Sequence, residues 1–352
     1  MEFIFIEMFC GIGGFRLGLE RSEWKCVWAN DTDKYACQIY RKNFGDGELV
    51  EGDIRSVDVN SIPDHTLLTA GFPCQSFSFA GKRKGFEDAC GALFYDIARV
   101  ASVKRPLLLL LENVKGLLSN DKGKTFAKIL QTLDELGYDV EWQVLNSKYF
   151  GVPQNRERVF IVGHLRGTGS RQIFPIGQAV EDTDRTYEKT RGEGTRLRIA
   201  NTLSSRYYKD GSENLILLKR HMRDEIRNCG QICPTLTETN HKNYWLLMTT
   251  HTKANIKQRI QNRESTWTLD GTKGKMAIVQ LNGNVRRLMP VECERLQGFP
   301  DNWTKLGLTH DGQVVNISDT QRYKLLGNAV TVNVIEFLGK KLKEVNSMTL
   351  SV

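Results

Sequence analysis

The first twenty residues constrain the fold more than any other stretch. Phe3-Ile4-Phe5-Ile6-Glu7-Met8-Phe9 is apolar nearly throughout, as a strand buried on both faces of a parallel sheet should be. It runs directly into Cys10-Gly11-Ile12-Gly13-Gly14 and then Phe15-Arg16-Leu17-Gly18-Leu19-Glu20, a helix start. Strand, glycine turn and helix open a doubly wound α/β sheet, and the glycines let the backbone approach a ligand closely. A dinucleotide fingerprint wants a third glycine at position 16, where Arg16 stands. That departure argues against a nicotinamide or flavin pyrophosphate and leaves room for a smaller nucleoside ligand. With no basic leader and no cleavage site, the N-terminus reads as a strand rather than a signal peptide.

Acids follow at successive strand ends. The second strand, Lys25-Cys26-Val27-Trp28-Ala29, ends at Asn30-Asp31, which places Asp31 to accept from ribose hydroxyls. Asp33 reads as the N-cap of a helix through Phe44. A third strand around Leu49–Gly52 ends at Asp53, an acceptor for an adenine amino group. Singly such acids are turn residues as often as ligands; in series after a glycine turn they form a site.

A buried strand, Thr66 to Ala70, leads into Gly71-Phe72-Pro73-Cys74-Gln75-Ser76. Cys74 therefore falls on a loop past a strand's carboxyl end, where open α/β sheets place reactive groups. A free cysteine is usually a half-buried structural thiol; here it is a candidate nucleophile. The polar stretch from Ser76 to Gly91 reads as a mobile loop able to close over a partner. After a helix (Leu93 to Val103), Leu107–Leu111 is the most apolar run and a central strand, ending at Glu112-Asn113-Val114. A carboxyl at that mouth is partly desolvated and can hold a proton near neutral pH. A helix (Lys124 to Leu136) and strands around Asp139–Leu145 and Val159–His164 complete the pattern. Between those strands, Pro153-Gln154-Asn155-Arg156-Glu157-Arg158 brings two fixed positive charges to the same edge.

At 352 residues the chain can hold two domains, and no apolar run reaches the roughly 18 residues of a membrane span. The eight cysteines form no Cys-x-x-Cys pair and the six histidines show no ligand spacing, so a reduced, cytoplasmic, metal-free protein is expected. The net charge of +8 is localised. Residues 191–280 hold 16 Lys and Arg against 8 Asp and Glu, and elsewhere the signs balance at 33 each. A solvated surface and a polyanion site weigh evenly on this feature alone. From about residue 165 the alternation of strand and helix stops, and Tyr207-Tyr208 and Tyr244-Trp245 are interleaved with basic and polar residues. This reads as a separate, irregular, mostly β domain. Arg286 to Pro290 then leads a helix, Val291 to Leu296, and Gly327-Asn328-Ala329-Val330 opens a last helix through about Leu342 that docks back on the first domain.

Together these pieces resemble the DNA cytosine-5 methyltransferases, in particular the small bacterial enzymes of restriction–modification systems. Phe9 to Gly14 resembles the family's cofactor motif, Gly71-Phe72-Pro73-Cys74-Gln75 its nucleophile motif, and Glu112-Asn113-Val114 its catalytic acid motif. Gln154 to Arg158 is similar to its glutamine–arginine motif, Arg286 to Pro300 to the segment supporting the recognition domain, and Gly327 to Val330 to the closing cofactor motif. Departures are Glu7 for Asp, Cys10 for Ala or Ser, Asp31 for Glu and Ala329 for Ser, which alter single cofactor contacts.

The resemblance implies a doubly wound Rossmann-like methyltransferase sheet with a smaller target-recognition domain. Its expected divisions are 1–180 catalytic, 181–300 recognition, 301–326 hinge and 327–352 a returning helix. It implies methyl transfer from S-adenosyl-L-methionine to C5 of a flipped-out cytosine in double-stranded DNA, leaving S-adenosyl-L-homocysteine. Cytosine C5 is a poor nucleophile; addition of the Cys74 thiolate at C6 makes an enamine, and Glu112 as general acid at N3 assists. Arg156 and Arg158 steady the thiolate and the nearby base or phosphate. The implied cofactor residues are Phe9, Gly11, Ile12, Gly13, Gly14, Asp31, Thr32, Asp53, Ile54, Pro73, Leu93, Asn328 and Val330. The implied DNA contacts are Gln75, Ser78, Arg158, and Thr202 or Thr235, each followed by Leu. A monomer with a cognate restriction endonuclease as functional partner, acting at the bacterial nucleoid, is expected. A tRNA methyltransferase on the same core and a DNA-binding module without activity compete; the long basic insert disfavours the first, and intact Cys74 and Glu112 the second.

Overall fold

The computed structural model describes residues 3–72, 91–169, 172–176 and 288–349, with the backbone of five short strands between 200 and 286. The chain alternates β1 (Ile4–Met8), α1 (Gly14–Glu20), β2 (Lys25–Asp31), α2 (Lys34–Phe44), β3 (Leu49–Glu51), β4 (Leu67–Gly71), α3 (Gly91–Lys104), β5 (Leu108–Val114) and α4 (Lys124–Glu135). It continues with β6 (Tyr138–Asn146), β7 (Gln154–Asn155) and β8 (Glu157–Leu165). Asp33 caps α2 as predicted, accepting from the N–H groups of Tyr35 and Ala36.

Seven strands form one sheet in the order β3-β2-β1-β4-β5-β8-β6. The first five are parallel neighbours, and β8 is antiparallel to both β5 and β6. Only a short connection without a crossover helix joins β6 to β8, so these two pair as antiparallel neighbours. The central strands are apolar because both faces are covered, and the two-residue period sorts them. Leu108 and Leu110 enter the core with Phe15, Leu19, Tyr40 and Leu338, and Leu109 and Leu111 the core with Phe94, Ile97, Phe126 and Ile129. Helices α1 and α2 thus cover one face and α3 and α4 the other.

The C-terminal part adds α5 (Pro290–Leu296), a hairpin β14 (Leu306–Leu308) with β15 (Val314–Asn316), α6 (Asp319–Asn328) and α7 (Val332–Thr349). Gly327 and Asn328 end α6 rather than begin the last helix, and Ala329 is extended at φ −66°, ψ 152° before α7 starts. Helix α7 packs closely on α1: a Cβ on Gly18 would sit 2.7 Å from Ile335 Cβ. Leu288, Leu296, Phe299, Leu325 and Leu326 share a core with Ile12 of the glycine turn and Ile39 of α2. Residues 288–326 are therefore packed onto the body that holds the glycine turn.

The short strands numbered between β8 and β14 are β9 (Ala200–Asn201), β10 (Ile216–Leu217), β11 (Leu247–Thr249), β12 (Lys275–Val279) and β13 (Val285–Arg286). Strand β12 pairs with β10, β11 and β13, forming a smaller, separate sheet. Among the described residues no helix is long and apolar enough to cross a membrane, and no cluster of three His, Cys, Asp or Glu side chains is placed to hold a metal.

Candidate active site

The carboxyl ends of β1, β2, β4 and β5 open on one cavity of about 480 Å³, closed on another side by Asn328, Ala329 and Val330. The glycine turn is its floor. Phe9 is left-handed at φ 56°, rare for an aromatic residue, and Gly13 at φ 80° caps α1. A Cβ at Gly13 would lie 2.2 Å from the Phe44 ring, and one at Gly14 2.7 Å from Val330 Cγ2. Only glycine lets the turn close this tightly over α2 and against the C-terminal corner.

Of the expected cofactor residues, Phe9, Gly11, Ile12, Gly14, Asp31, Thr32, Leu93, Asn328 and Val330 line this cavity. Three expected ones do not. Gly13 serves the turn from behind, against Phe44. Asp53 points to solvent, where its carboxylate accepts from Arg55 N at 3.0 Å and Arg55 Nε at 2.9 Å, and Arg55 holds its pKa down to about 2. Ile54 is buried in the core beneath. Pro73 lies outside the described residues, as do Cys74, Gln75, Ser78, Thr202, Thr235 and the expected closing loop.

The opposite wall carries charge. Glu112, at the end of β5, is buried, and Arg158 Nε approaches its Oε1 at 3.1 Å. Burial raises the Glu112 pKa, and the guanidinium groups of Arg158 and Arg156 work against that rise. Strand pairing explains the meeting: Val114 of β5 lies opposite Arg158 of β8, and Glu112 opposite Gly71 of β4. Asn113 Nδ2 donates to Phe72 O at 2.9 Å, fixing the end of β4 beside Glu112. The described chain stops there, on the cavity wall, two residues before Cys74.

Arg156 has a different part from Arg158. It is fully buried, and its Nη2 donates to Gly327 O at 3.1 Å and Ala329 O at 2.8 Å. Burial, with Arg158 nearby, lowers its pKa to about 9, so it stays charged at neutral pH. It holds the 327–330 corner against the cavity. Gln297 joins the same corner, donating to Leu326 O at 2.7 Å, and Thr331 Oγ1 donates to Gln297 Oε1 at 2.9 Å. Asp33, at the cavity edge, accepts from Lys324 Nζ at 2.7 Å and clamps α6 to α2. Sequence reasoning missed Gln297, Thr331 and Lys324 because each partner is far away along the chain; Asn113 was visible beside Glu112, without its role.

The walls fit an adenosyl methionine derivative. The volume is that of a small-molecule site, an aromatic and an acid flank the glycine turn, and a Cβ on Gly11 would meet nothing within 4 Å, leaving that turn open to a ligand. The sequence model of the C-5 cytosine-specific DNA methylases matches residues 3–344, and the chain belongs to this family. It is 38% identical to the Type II methyltransferase M1.ScrFI of Lactococcus lactis subsp. cremoris, over 97% of this chain and 78% of that protein. It is 35% identical to M.HhaI of Haemophilus parahaemolyticus, over 95% of this chain and 92% of that one. The fold also matches the crystal structure of S. pombe Dnmt2 methyltransferase, with a TM-score of 0.61 at 23% identity, covering 97% of this chain and 99% of that one. The protein is thus a DNA cytosine-5 methyltransferase of restriction–modification type: it moves the methyl group of S-adenosyl-L-methionine to C5 of a flipped-out cytosine in DNA, through a covalent thiolate adduct at C6.

Proposed function

We propose that Cys74 is the attacking thiol, with Glu112 the acid and Arg158 its electrostatic partner. The observation that carries this assignment is the pairing of buried Glu112 with partly exposed Arg158 on the cavity wall beside Phe72, two residues before Cys74. The Cys74 sulfur adds its electron pair to C6, and Glu112 donates a hydrogen bond or proton at N3 as the C5–C6 pair becomes available at C5. When bound, S-adenosyl-L-methionine supplies an electrophilic methyl group on a sulfonium. Water or hydroxide then takes the C5 proton, the C5–H electron pair re-forms the C5–C6 double bond and expels the Cys74 thiolate, and Glu112 recovers any proton it gave to N3. Arg158 keeps its positive charge beside Glu112 and the base throughout, and Arg156 holds the 327–330 corner.

In this reading the cofactor lies on Phe9, Gly11, Ile12, Gly14, Asp31, Thr32, Leu93, Asn328 and Val330, with Pro73 assigned to it by the family motif. Gln75, Ser78 and Arg158 contact the flipped nucleotide, and the basic residues of 181–300, with Thr202 or Thr235, read the duplex. Locating the surplus charge there fits phosphate contacts. The protein acts as a monomer in the bacterial cytoplasm at the nucleoid, protecting DNA from a cognate endonuclease that it need not touch. The deciding experiment uses S-adenosyl-L-methionine with duplex DNA carrying 5-fluorocytosine, whose C5 fluorine, unlike a C5 proton, cannot leave as a cation once C5 is methylated. The unaltered protein is expected to form a denaturation-resistant complex with it, and Cys74→Ser none, with methyl transfer lost by at least about 10⁴-fold. Trapping by Cys74→Ser would remove the assigned nucleophile.

A further inference from the structure

Residues 173–176 lie over the face of the sheet on which Leu145, Phe160 and Val162 are buried, and Ile173 joins that core. They form no strand, yet their amides are held. Glu141, on β6, accepts from Ile173 N–H on Oε1 and from Phe174 N–H on Oε2, both at 2.8 Å. His164 Nε2, on β8, lies 2.7 Å from the same Oε1, and both side chains are buried. Gln143 follows Glu141 by two residues on β6 and so shares its face. Its Oε1 accepts from Ile176 N–H at 2.9 Å, and its Nε2 donates to Ile176 O at 3.4 Å.

A buried main chain needs partners, and here two side chains supply what a neighbouring strand would. Stability alone does not ask for a carboxylate there, since an apolar group of similar volume often serves as well. What the carboxylate adds is register. Consecutive amides on its two oxygens, with a further one on Gln143, hold 173–176 in a single alignment with β6. The sequence runs from this segment straight into 181–300. We propose that Glu141 and Gln143 are positioning residues for DNA recognition: they seat 173–176 on β6 and so fix where the chain departs toward the recognition segment. This rests on the reading of 181–300 as the part that reads the duplex. Neither side chain lines the cofactor cavity, so methyl transfer itself should not depend on them.

The test compares the unaltered protein with Glu141→Gln/Gln143→Leu, on a plasmid fragment that the unaltered protein methylates. A glutamine at 141 keeps the shape but turns an NH₂ toward a main-chain N–H. Hydrogen exchange at Ile173, Phe174 and Ile176 is expected to quicken. The DNA concentration for half-maximal single-turnover methylation should rise about tenfold, while the rate at saturating DNA and the affinity for S-adenosyl-L-homocysteine stay within about twofold. Gln143→Leu alone, which leaves the buried carboxylate paired, should give the same split at about threefold, and its absence overturns the proposal. Exchange that does not quicken overturns it too, as do equal losses in cofactor and DNA binding. Quicker exchange with an unchanged DNA dependence overturns it and leaves the reading of 181–300 standing. In the unaltered protein the fragment should slow exchange within 181–300; protection confined to the rest of the chain overturns that reading and this role together.

Discussion

Two buried carboxyls, Glu7 on β1 and Glu112 on β5, sit in one sheet and end up with different work. Glu7 is wholly enclosed behind the glycine turn, where Tyr40 Oη donates to its Oε2 at 3.3 Å. Burial pushes its pKa up to about 8, against the pull of Arg16 and the start of α1. Glu112 is raised by the same cause, but it opens on the cavity and has Arg158 at 3.1 Å. Desolvation alone makes a neutral structural acid. Desolvation with access to the substrate and an adjacent cation makes a proton donor whose ionised form is tolerated after transfer.

The sharpest way to break that contrast is Glu112→Gln. It keeps a donor near N3 but loses the proton, and kcat should fall by about 10²- to 10⁴-fold in single-turnover methylation while S-adenosyl-L-homocysteine binding holds. Equal losses in both measurements would make Glu112 structural, as Glu7 is. Arg158→Leu comes next. The guanidinium favours the carboxylate form, so its removal should raise the Glu112 pKa further. The alkaline fall in single-turnover rate should move to higher pH, on top of a lower maximal rate; an unmoved limb would uncouple the pair.

Glu7→Gln probes the other carboxyl through stability. The folded pKa of about 8 lies above the unfolded value near 4.5, so the folded state binds the extra proton between them. Stability from Glu7 is therefore full below about pH 4.5 and is lost as pH rises toward 8. Urea melts of Glu7→Gln against the parent should show that this loss has flattened, and an unchanged pH profile would mean Glu7 does not titrate in that window. The smallest effect belongs to Asp53→Asn. Its carboxylate serves Arg55 and stands off the cavity, so the cofactor KM should change less than about twofold, within the range of surface substitutions.

Much of the site was legible along the chain. Phe9 to Gly14 had to be a tight turn after a buried strand, and Glu112 had to sit at the mouth of the most apolar strand. These are local matters, governed by side-chain period and by which residues tolerate a left-handed backbone. The acids after β2 and β3 were harder, because a carboxylate at a strand end serves ligand or main chain equally well. Asp53 went to Arg55, two residues away, whereas Asp31 accepts from Gly11 and Asp33 and still lines the cavity.

By itself, then, the order of residues determined the sheet's parallel half, the glycine turn, the acid at β5 and the family chemistry they share. Only the tertiary structure separated Arg156 from Arg158, gave Gln297 and Thr331 to the corner at 327–331, and set Glu112 beside the end of β4. The reason is physical. Backbone turns and hydrophobic period are fixed by near neighbours, whereas the job of a buried charged or amide group depends on which distant dipoles and charges replace the water it has lost.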